Sequence, residues 1–188
     1  MAVKVDLAKF VKLVIQSLEE SRIRYVIVGG IAAILYGRPR TTLDIDIVIS
    51  QANLADITRL EQTLKKNGFS ISDNEILEAV NQKSHCSIFF KDYVYRIEIH
   101  GVYNPLNDRC LKNRLLMKVF EQKAYVQKAE DLIIAKLIYN SQQDLEDAFA
   151  ILKRQQSTLD RTYLRKIATL EGLGEQLDKF LTDIDSIS

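Results

Sequence analysis

The sequence predicts a mixed α/β (α+β) fold, a small mixed sheet flanked by helices with a helical C-terminal subdomain. Three observations predict it. Short β-prone runs alternate with helical patterns up to about Gln127. From Ala129 onward every segment carries a helical pattern. Gly and Pro number only 7 and 2 among 188 residues, below the average share of about 12%, which leaves no room for long flexible linkers. Two parts follow, an α/β domain over 1–127 and a helical subdomain over 128–188, with a soft boundary near Gln127.

The elements read as follows. Asp6 caps a first helix running to about Ser21, with Leu7, Phe10, Val11, Val14 and Leu18 on one face. Tyr25–Val28 is a continuous apolar run, a buried strand closing on the turn Gly29-Gly30. A short helix over Ile31–Tyr36 stops at Gly37. Pro39 biases Arg38 toward extended geometry and makes 38–42 a loop. Leu43–Ile49 alternates as a strand. Ser50 or Asn53 caps a helix to about Asn67, with Leu54, Ile57, Leu60 and Leu64 inward, and Gly68 ends it. Phe69–Ser72 is a short strand and Asn74–Val80 a short helix. His85–Phe90 and Val94–His100 form a hairpin across Lys91, Asp92 and Tyr93. Asn104–Asp108 reads as a loop. Leu115–Phe120 and Ala124–Val126 are short strands. A helix then opens on Glu130 and Asp131, where anions favour a start, and further helices cover Asp144–Arg154, Asp160–Leu170 and Glu175–Ile184.

Composition bounds the function. Hydrophobic residues are 47% of the chain, which supplies a core and excludes intrinsic disorder. The net charge of +1 excludes a uniformly basic coat for nucleic acid. Cys86 and Cys110 make neither a disulfide framework nor a zinc site, and reduced thiols fit a cytoplasmic protein. The longest apolar stretch, Tyr25–Gly37, is too short to cross a bilayer. The opening MAVKVDLAKF is amphipathic and lacks a signal-peptide core. A soluble intracellular protein is expected.

The chemistry centres on Leu43–Ile49. Side chains alternate along a strand. Leu43, Ile45, Ile47 and Ile49 point to the core, and Asp44 and Asp46 point together to the other face. Aspartate is depleted in strands, so two of them inside an apolar run need a reason, and two carboxylates on one face can converge on a divalent cation. Similar spacings at Asp73/Glu75, Asp144/Glu146 and Asp183/Asp185 fall in loops or helices, where they are ordinary. In 95–100, Ile97 and Ile99 face the core while Arg96, Glu98 and His100 face away. If the two strands are neighbours, Glu98 joins Asp44 and Asp46. Three clustered carboxylates repel and call for a cation, and hard oxygen donors suit Mg²⁺ or Mn²⁺. The competing readings are a solvated strand face for the aspartates and an Arg96 partner for Glu98.

Gly29 and Gly30 follow a strand and open a helix, where free N–H groups can hold phosphate and glycine permits close approach. Arg38 and Arg40 lie just ahead of the acidic strand, and arginine suits a phosphate clamp. Thr42 either bonds a phosphate or begins the strand.

The stretch Val28–Ile47, with Gly29, Gly30, Arg40, Thr42, Asp44 and Asp46, resembles the nucleotidyltransferase signature. Its Arg-x-Thr-x-Asp-x-Asp form is similar to the AbiEii-like branch, which includes toxins of toxin–antitoxin systems. Lys136 and Asp147 match the lysine and aspartate of that branch's later helical motifs, and the likeness covers about Tyr25 to Leu152. The chain departs from the branch in using Glu98 where Asp is commoner, and in placing 140–143 (Asn-Ser-Gln-Gln) where a basic residue often precedes the Asp-x-x-Asp. The resemblance implies a nucleotidyltransferase-like fold and a Mg²⁺- or Mn²⁺-dependent transfer of an NMP group from an NTP to an acceptor such as RNA or protein, with an antitoxin as partner for a toxin. Asp44, Asp46 and Glu98 would be catalytic and hold metal. Gly29, Gly30, Arg40, Thr42 and Lys136 would bind the nucleotide. The alternative is an inactive binding or regulatory module on the same fold.

Other candidates are weaker. Lys136 either reaches phosphate or snorkels to Asp144 or Asp147, and Asp147 organises the helices. His100 is a base or a passive strand-end residue. Arg109, Lys112, Arg114, Lys118, Lys123 and Lys128, opposed only by Glu121, form either a polyanion patch or a solvated face.

Overall fold

The computed structural model describes residues 6–91 and 93–187, with the side chain of residue 187 left aside. The first five residues of the amphipathic N-terminal stretch, and Asp92 of the expected hairpin turn, lie outside the described residues.

The element order follows the alternation in the sequence. Helix α1 (Leu7–Ser21) starts where the Asp6 carboxylate accepts the Lys9 N–H at 2.8 Å. Strand β1 (Tyr25–Val28) runs directly into α2 (Gly29–Leu35), and β2 (Asp44–Ile49) returns beside it. Helix α3 (Leu54–Lys66), capped by Asn53, leads to β3 (Phe69–Ser70), α4 (Glu75–Asn81), β4 (His85–Phe90) and β5 (Arg96–His100). Next come α5 (Pro105–Lys112), β6 (Leu115–Val119) and β7 (Gln122–Val126), and then α6 (Ala129–Tyr139), α7 (Gln142–Arg154), α8 (Arg161–Leu170) and α9 (Gly174–Ile187).

Among the described residues seven strands form one mixed sheet in the order β3-β4-β5-β2-β1-β7-β6. Strand β2 is central. It pairs antiparallel with β1, placing Asp46 opposite Val28, and parallel with β5, placing Asp44 beside Arg96 and Asp46 beside Glu98.

The two faces of the sheet differ. One carries Ile27, Ile45, Ile47, Ile97 and Ile99 against α1, and belongs to the main core. Phe10 of α1 is fully buried there, stacked on Tyr95 at 5.1 Å and tilted against Phe69 and Phe90 at 5.9 Å. Its truncation to Ala would cost about 3–5 kcal/mol. Ile133, Ile134, Leu137, Ile151 and Leu164 of the C-terminal helices join the same core. The other face carries a small cluster, in which Val26 and Val48 pack under Leu106, Cys110 and Leu111 of α5 and Ala135 of α6. That smaller cluster sets α5 and α6 above the carboxylate end of β2.

Three expectations change. Residues 104–108 are not a loop, because Asn104 caps α5 by accepting the Asn107 N–H at 2.8 Å, with Pro105 in the first turn. Leu43 and Leu54 are exposed at 50% and 58% rather than inward, since each lies at or before the start of its element, where periodicity no longer binds it to the core. Strand β5 begins at Arg96 rather than Val94, which is exposed. Among the described residues no helix is long and apolar enough to cross a membrane.

Candidate active site

Alternation on β2 sends Ile45 and Ile47 into the core and leaves Asp44 and Asp46 on the face beneath α5 and α6. A cavity of about 630 Å³ opens there. Its polar lining comprises Gly29, Gly30, Arg40, Thr42, Asp44, Asp46, Arg96 and Lys136, and its apolar lining Val28, Val48, Leu106, Cys110, Leu132 and Ala135. A polar groove of about 720 Å³ adjoins it, lined by Gln82, Lys83, Ser84, His85, Glu98 and Tyr103, and shares Asp46 and His100 with the cavity.

Each carboxylate has its own surroundings. Asp44 Oδ1 accepts the Thr42 hydroxyl at 2.7 Å, and Oδ2 accepts Arg96 Nη2 at 3.1 Å. Asp46 Oδ2 accepts the Gly30 N–H at 3.3 Å. Burial and then the Asp44 charge push the Asp46 carboxyl up to about 6, against the Gly30 N–H and Lys136, with Glu98 adding to the rise. Glu98 Oε1 accepts Arg96 Nε at 2.7 Å and Oε2 accepts the Ser87 hydroxyl at 2.6 Å, with His85 Nε2 at 4.0 Å.

The register therefore brings the three expected carboxylates to adjacent positions, but it also brings Arg96 between two of them. Among the described residues no three His, Cys, Asp or Glu side chains are arranged as a ready-made metal site. Arg96 occupies two of the three carboxylates, binding Glu98 through Nε and Asp44 through Nη2. Asp44 and Asp46 fit a hard cation by donor chemistry and by the unmet charge on Asp46. Glu98 is bonded to Arg96 and Ser87 and lines the adjoining groove together with Asp46.

The expected nucleotide-binding residues all line this cavity. A Cβ on Gly30 would come within 2.8 Å of Arg40 Nη2 and 3.0 Å of Thr42 Oγ1, so this glycine lets the 38–42 loop close over the turn. Arg40 Nε stands 3.3 Å from Asp147 Oδ1, and Lys136 Nζ stands 2.9 Å from Asp147 Oδ2 and 2.7 Å from Asp144 Oδ1. Arg38 Nε lies 3.5 Å from the same Asp147, and its Nη2 pairs with Glu146 at 2.7 Å. With its amide oxygen turned inward, Gln143 accepts both terminal nitrogens of Arg40 at 3.2 and 2.9 Å. Asp147 is fully buried, and its contacts with three cations are electrostatic rather than well-directed hydrogen bonds. Lys136 thus combines both sequence readings: it is paired with Asp144 and Asp147, and it lines the cavity.

His100 lines both spaces, and burial followed by the His85 charge holds it below the ordinary histidine value. The basic run of 109–128 does not form a bare patch. Arg109 pairs with Asp131 at 3.2 Å and Glu171 at 2.9 Å, Lys112 with Asp108, Lys118 with Glu121, and Lys128 with Glu130, while Arg114 lies 4.4 Å over the Tyr125 ring. Two partners of Arg109 come from α6 and the end of α8, which a count along the run does not include.

Sequence reasoning gave Arg96 as an alternative partner for Glu98, which the structure shows; it missed the second contact of Arg96, to Asp44, which depends on the β2–β5 register. It also missed Ser87, whose position opposite Glu98 depends on the β4–β5 register.

A paired-aspartate strand beside a strand–Gly-Gly–helix turn, with Arg40 and Lys136 lining the same cavity, is the arrangement that the sequence motif led us to expect. The family model described as "Nucleotidyltransferase of unknown function (DUF6036)" matches residues 5–177, and the chain belongs to that family. A search of curated protein sequences finds no significant match. Among solved structures, the chain is similar to an antigenic nucleotidyltransferase-like protein from Paracoccidioides brasiliensis, with a TM-score of 0.58 and 19% identity over 94% of this chain and 92% of that one. The solution structure of the antibiotic-resistance factor ANT(2'')-Ia is similar at a TM-score of 0.59 and 11% identity, over 95% of each chain. ANT(2'')-Ia in complex with adenylyl-2''-tobramycin gives 0.57 and 11%, over 87% of this chain and 95% of that one. At these identities the likeness is one of fold.

Proposed function

We propose that this nucleotidyltransferase moves an NMP group from an NTP to an acceptor hydroxyl and releases pyrophosphate. The observation that carries the reading is the Asp44/Asp46 pair on the cavity face of β2, with Asp46 half-buried, under-neutralised and, among the described residues, hydrogen-bonded only to the Gly30 N–H. Mg²⁺ or Mn²⁺, held by Asp44 and Asp46, would supply charge neutralisation and polarisation at the phosphate oxygens. Arg40, Lys136 and Thr42 hold the triphosphate, with the Gly29–Gly30 turn beside it. The apolar side chains of the lining take the base and sugar.

The groove is the acceptor's side, because it meets the cavity at Asp46 and contains Glu98. A carboxylate offers about four lone-pair sites, so two hydrogen bonds leave Glu98 able to accept the acceptor's proton. Lys83, His85 and Tyr103 on the groove wall suit a polar hydroxyl acceptor on RNA or on a protein. The neighbour ANT(2'')-Ia was solved with an adenylylated aminoglycoside, which makes a small polyol a further arm of the test. We read the compartment as the cytoplasm, where NTP is abundant and the unbridged thiols of Cys86 and Cys110 stay reduced. The motif-level likeness to the AbiEii-like branch adds a toxin role with an antitoxin partner.

The test is pyrophosphate release from each labelled NTP with Mn²⁺ or Mg²⁺, in the presence of bulk RNA, protein extract or an aminoglycoside. The labelled product identifies the acceptor, and Asp46→Ala abolishes release. No release in any arm, with the cation bound, favours the inactive regulatory module instead. Growth arrest on expression, relieved by Asp46→Ala, supports the toxin role, and unchanged growth removes it.

A further inference from the structure

We propose that Arg96 is the resident counter-cation of the carboxylate cluster, surrendering Asp44 when a divalent ion enters and so setting the affinity of the site for metal. The inference rests on the reading of Asp44 and Asp46 as the ion-holding pair.

The backbone puts Arg96 in place before any side-chain choice is made. It lies beside Asp44 across the parallel β2–β5 pair, and its N–H donates to the Leu43 carbonyl at 3.0 Å. Its guanidinium does not form a fork on one carboxylate. Nε goes to Glu98 at 2.7 Å and Nη2 to Asp44 at 3.1 Å. One positive charge thus serves two carboxylates on adjacent strands and leaves Asp46 uncontacted. The other groups facing these carboxylates are the Thr42 and Ser87 hydroxyls and His85 at 4.0 Å.

The same geometry makes the pairing reversible. The Arg96 side chain is 40% exposed, against 17% for Glu98 and 30% for Asp44, and it lines the cavity. It can leave by rotating into the space where nucleotide enters. A divalent ion and a guanidinium within reach of one Asp44 oxygen repel strongly in a partly desolvated site, so one must yield. While in place, Arg96 keeps Asp44 and Glu98 from repelling each other in the metal-free chain. Because the two carboxylates are held by different nitrogens, Nη2 can give up Asp44 while Nε keeps Glu98.

The test uses the full chain without nucleotide, counting free Mn²⁺ by electron paramagnetic resonance, with melting temperature as a parallel readout. Arg96→Gln is expected to bind Mn²⁺ about tenfold or more tightly than the wild type, and to melt lower without metal but recover when Mn²⁺ is added. Arg96→Lys, which keeps the charge, is expected to stay within about threefold of the wild type. A purely structural Arg96 would lower the melting temperature of Arg96→Gln and leave Mn²⁺ affinity unchanged or weaker, and that result overturns the proposal. If neither the wild type nor Arg96→Gln binds Mn²⁺, the ion-pair reading of Asp44 and Asp46 fails and takes this inference with it.

Discussion

Gly29 and Asp46 are packed so closely that a Cβ built on Gly29 would fall inside the Asp46 carboxylate. Gly29 also has a φ of +61°, in the left-handed region. The turn that opens α2 is therefore shaped around the acid of the opposite strand.

Gly29→Ala should suffer twice, from the backbone and from displacement of Asp46, and lose more than roughly 2 kcal/mol of stability together with pyrophosphate release. Gly172 supplies the control. It has a φ of +72°, but a Cβ there would meet nothing within 4 Å, so Gly172→Ala should cost only about 1 kcal/mol and leave release intact. Urea unfolding of the two variants separates the terms, and equal costs would show that the Asp46 contact is soft.

The pH dependence follows from Asp46. Its folded pKa of about 6 lies above the ordinary 3.8. The folded state therefore holds the proton more tightly, and that stability is present below about pH 4 and lost as pH rises through 6. Metal-free Asp46→Asn should be more stable than the wild type above pH 6, by up to about 3 kcal/mol, with the gain vanishing near pH 4. Denaturation across pH 4–8 checks this, and a gain independent of pH would contradict the assigned cause.

Asp147 is fully buried among Arg38, Arg40 and Lys136. Asp147→Ala removes the buried anion that the three cations share and should destabilise the chain by about 3–5 kcal/mol, although Arg38 keeps Glu146 and Lys136 keeps Asp144. Where the variant still folds, the KM for NTP should rise more than kcat falls, because Arg40 and Lys136 lose the group that holds them.

Lys136→Ala should weaken NTP binding by about tenfold or more, the scale of one charge-assisted hydrogen bond. The rise in melting temperature produced by a non-hydrolysable NTP with Mg²⁺ should shrink accordingly. An undiminished rise would leave Lys136 as a partner of Asp144 and Asp147 alone.

Much of the molecule follows from local pattern. The alternation Asp44-Ile45-Asp46-Ile47 requires two acids on one face as soon as the segment is a strand, and Gly29-Gly30 after Tyr25–Val28 requires a tight turn. Asp6 and Asn53 mark helix starts by side-chain caps that act over three residues. Asn104-Pro105 carries the same kind of signal for α5, but it reads as a loop because proline also marks loops.

The amino-acid sequence by itself determined the strand–turn–helix, the paired aspartates and the family signature, because each depends on interactions between residues a few positions apart. Only the tertiary structure decided that β2 and β5 run parallel in a register that sets Arg96 beside Asp44 and Asp46 beside Glu98. It also decided that Asp147 reaches back from α7 to Arg40, and that Asp131 and Glu171 neutralise Arg109. The reason is that an ion pair forms wherever two chain segments are brought within a few ångströms, and that proximity is set by the packing of the whole sheet and its helices, which no local spacing encodes.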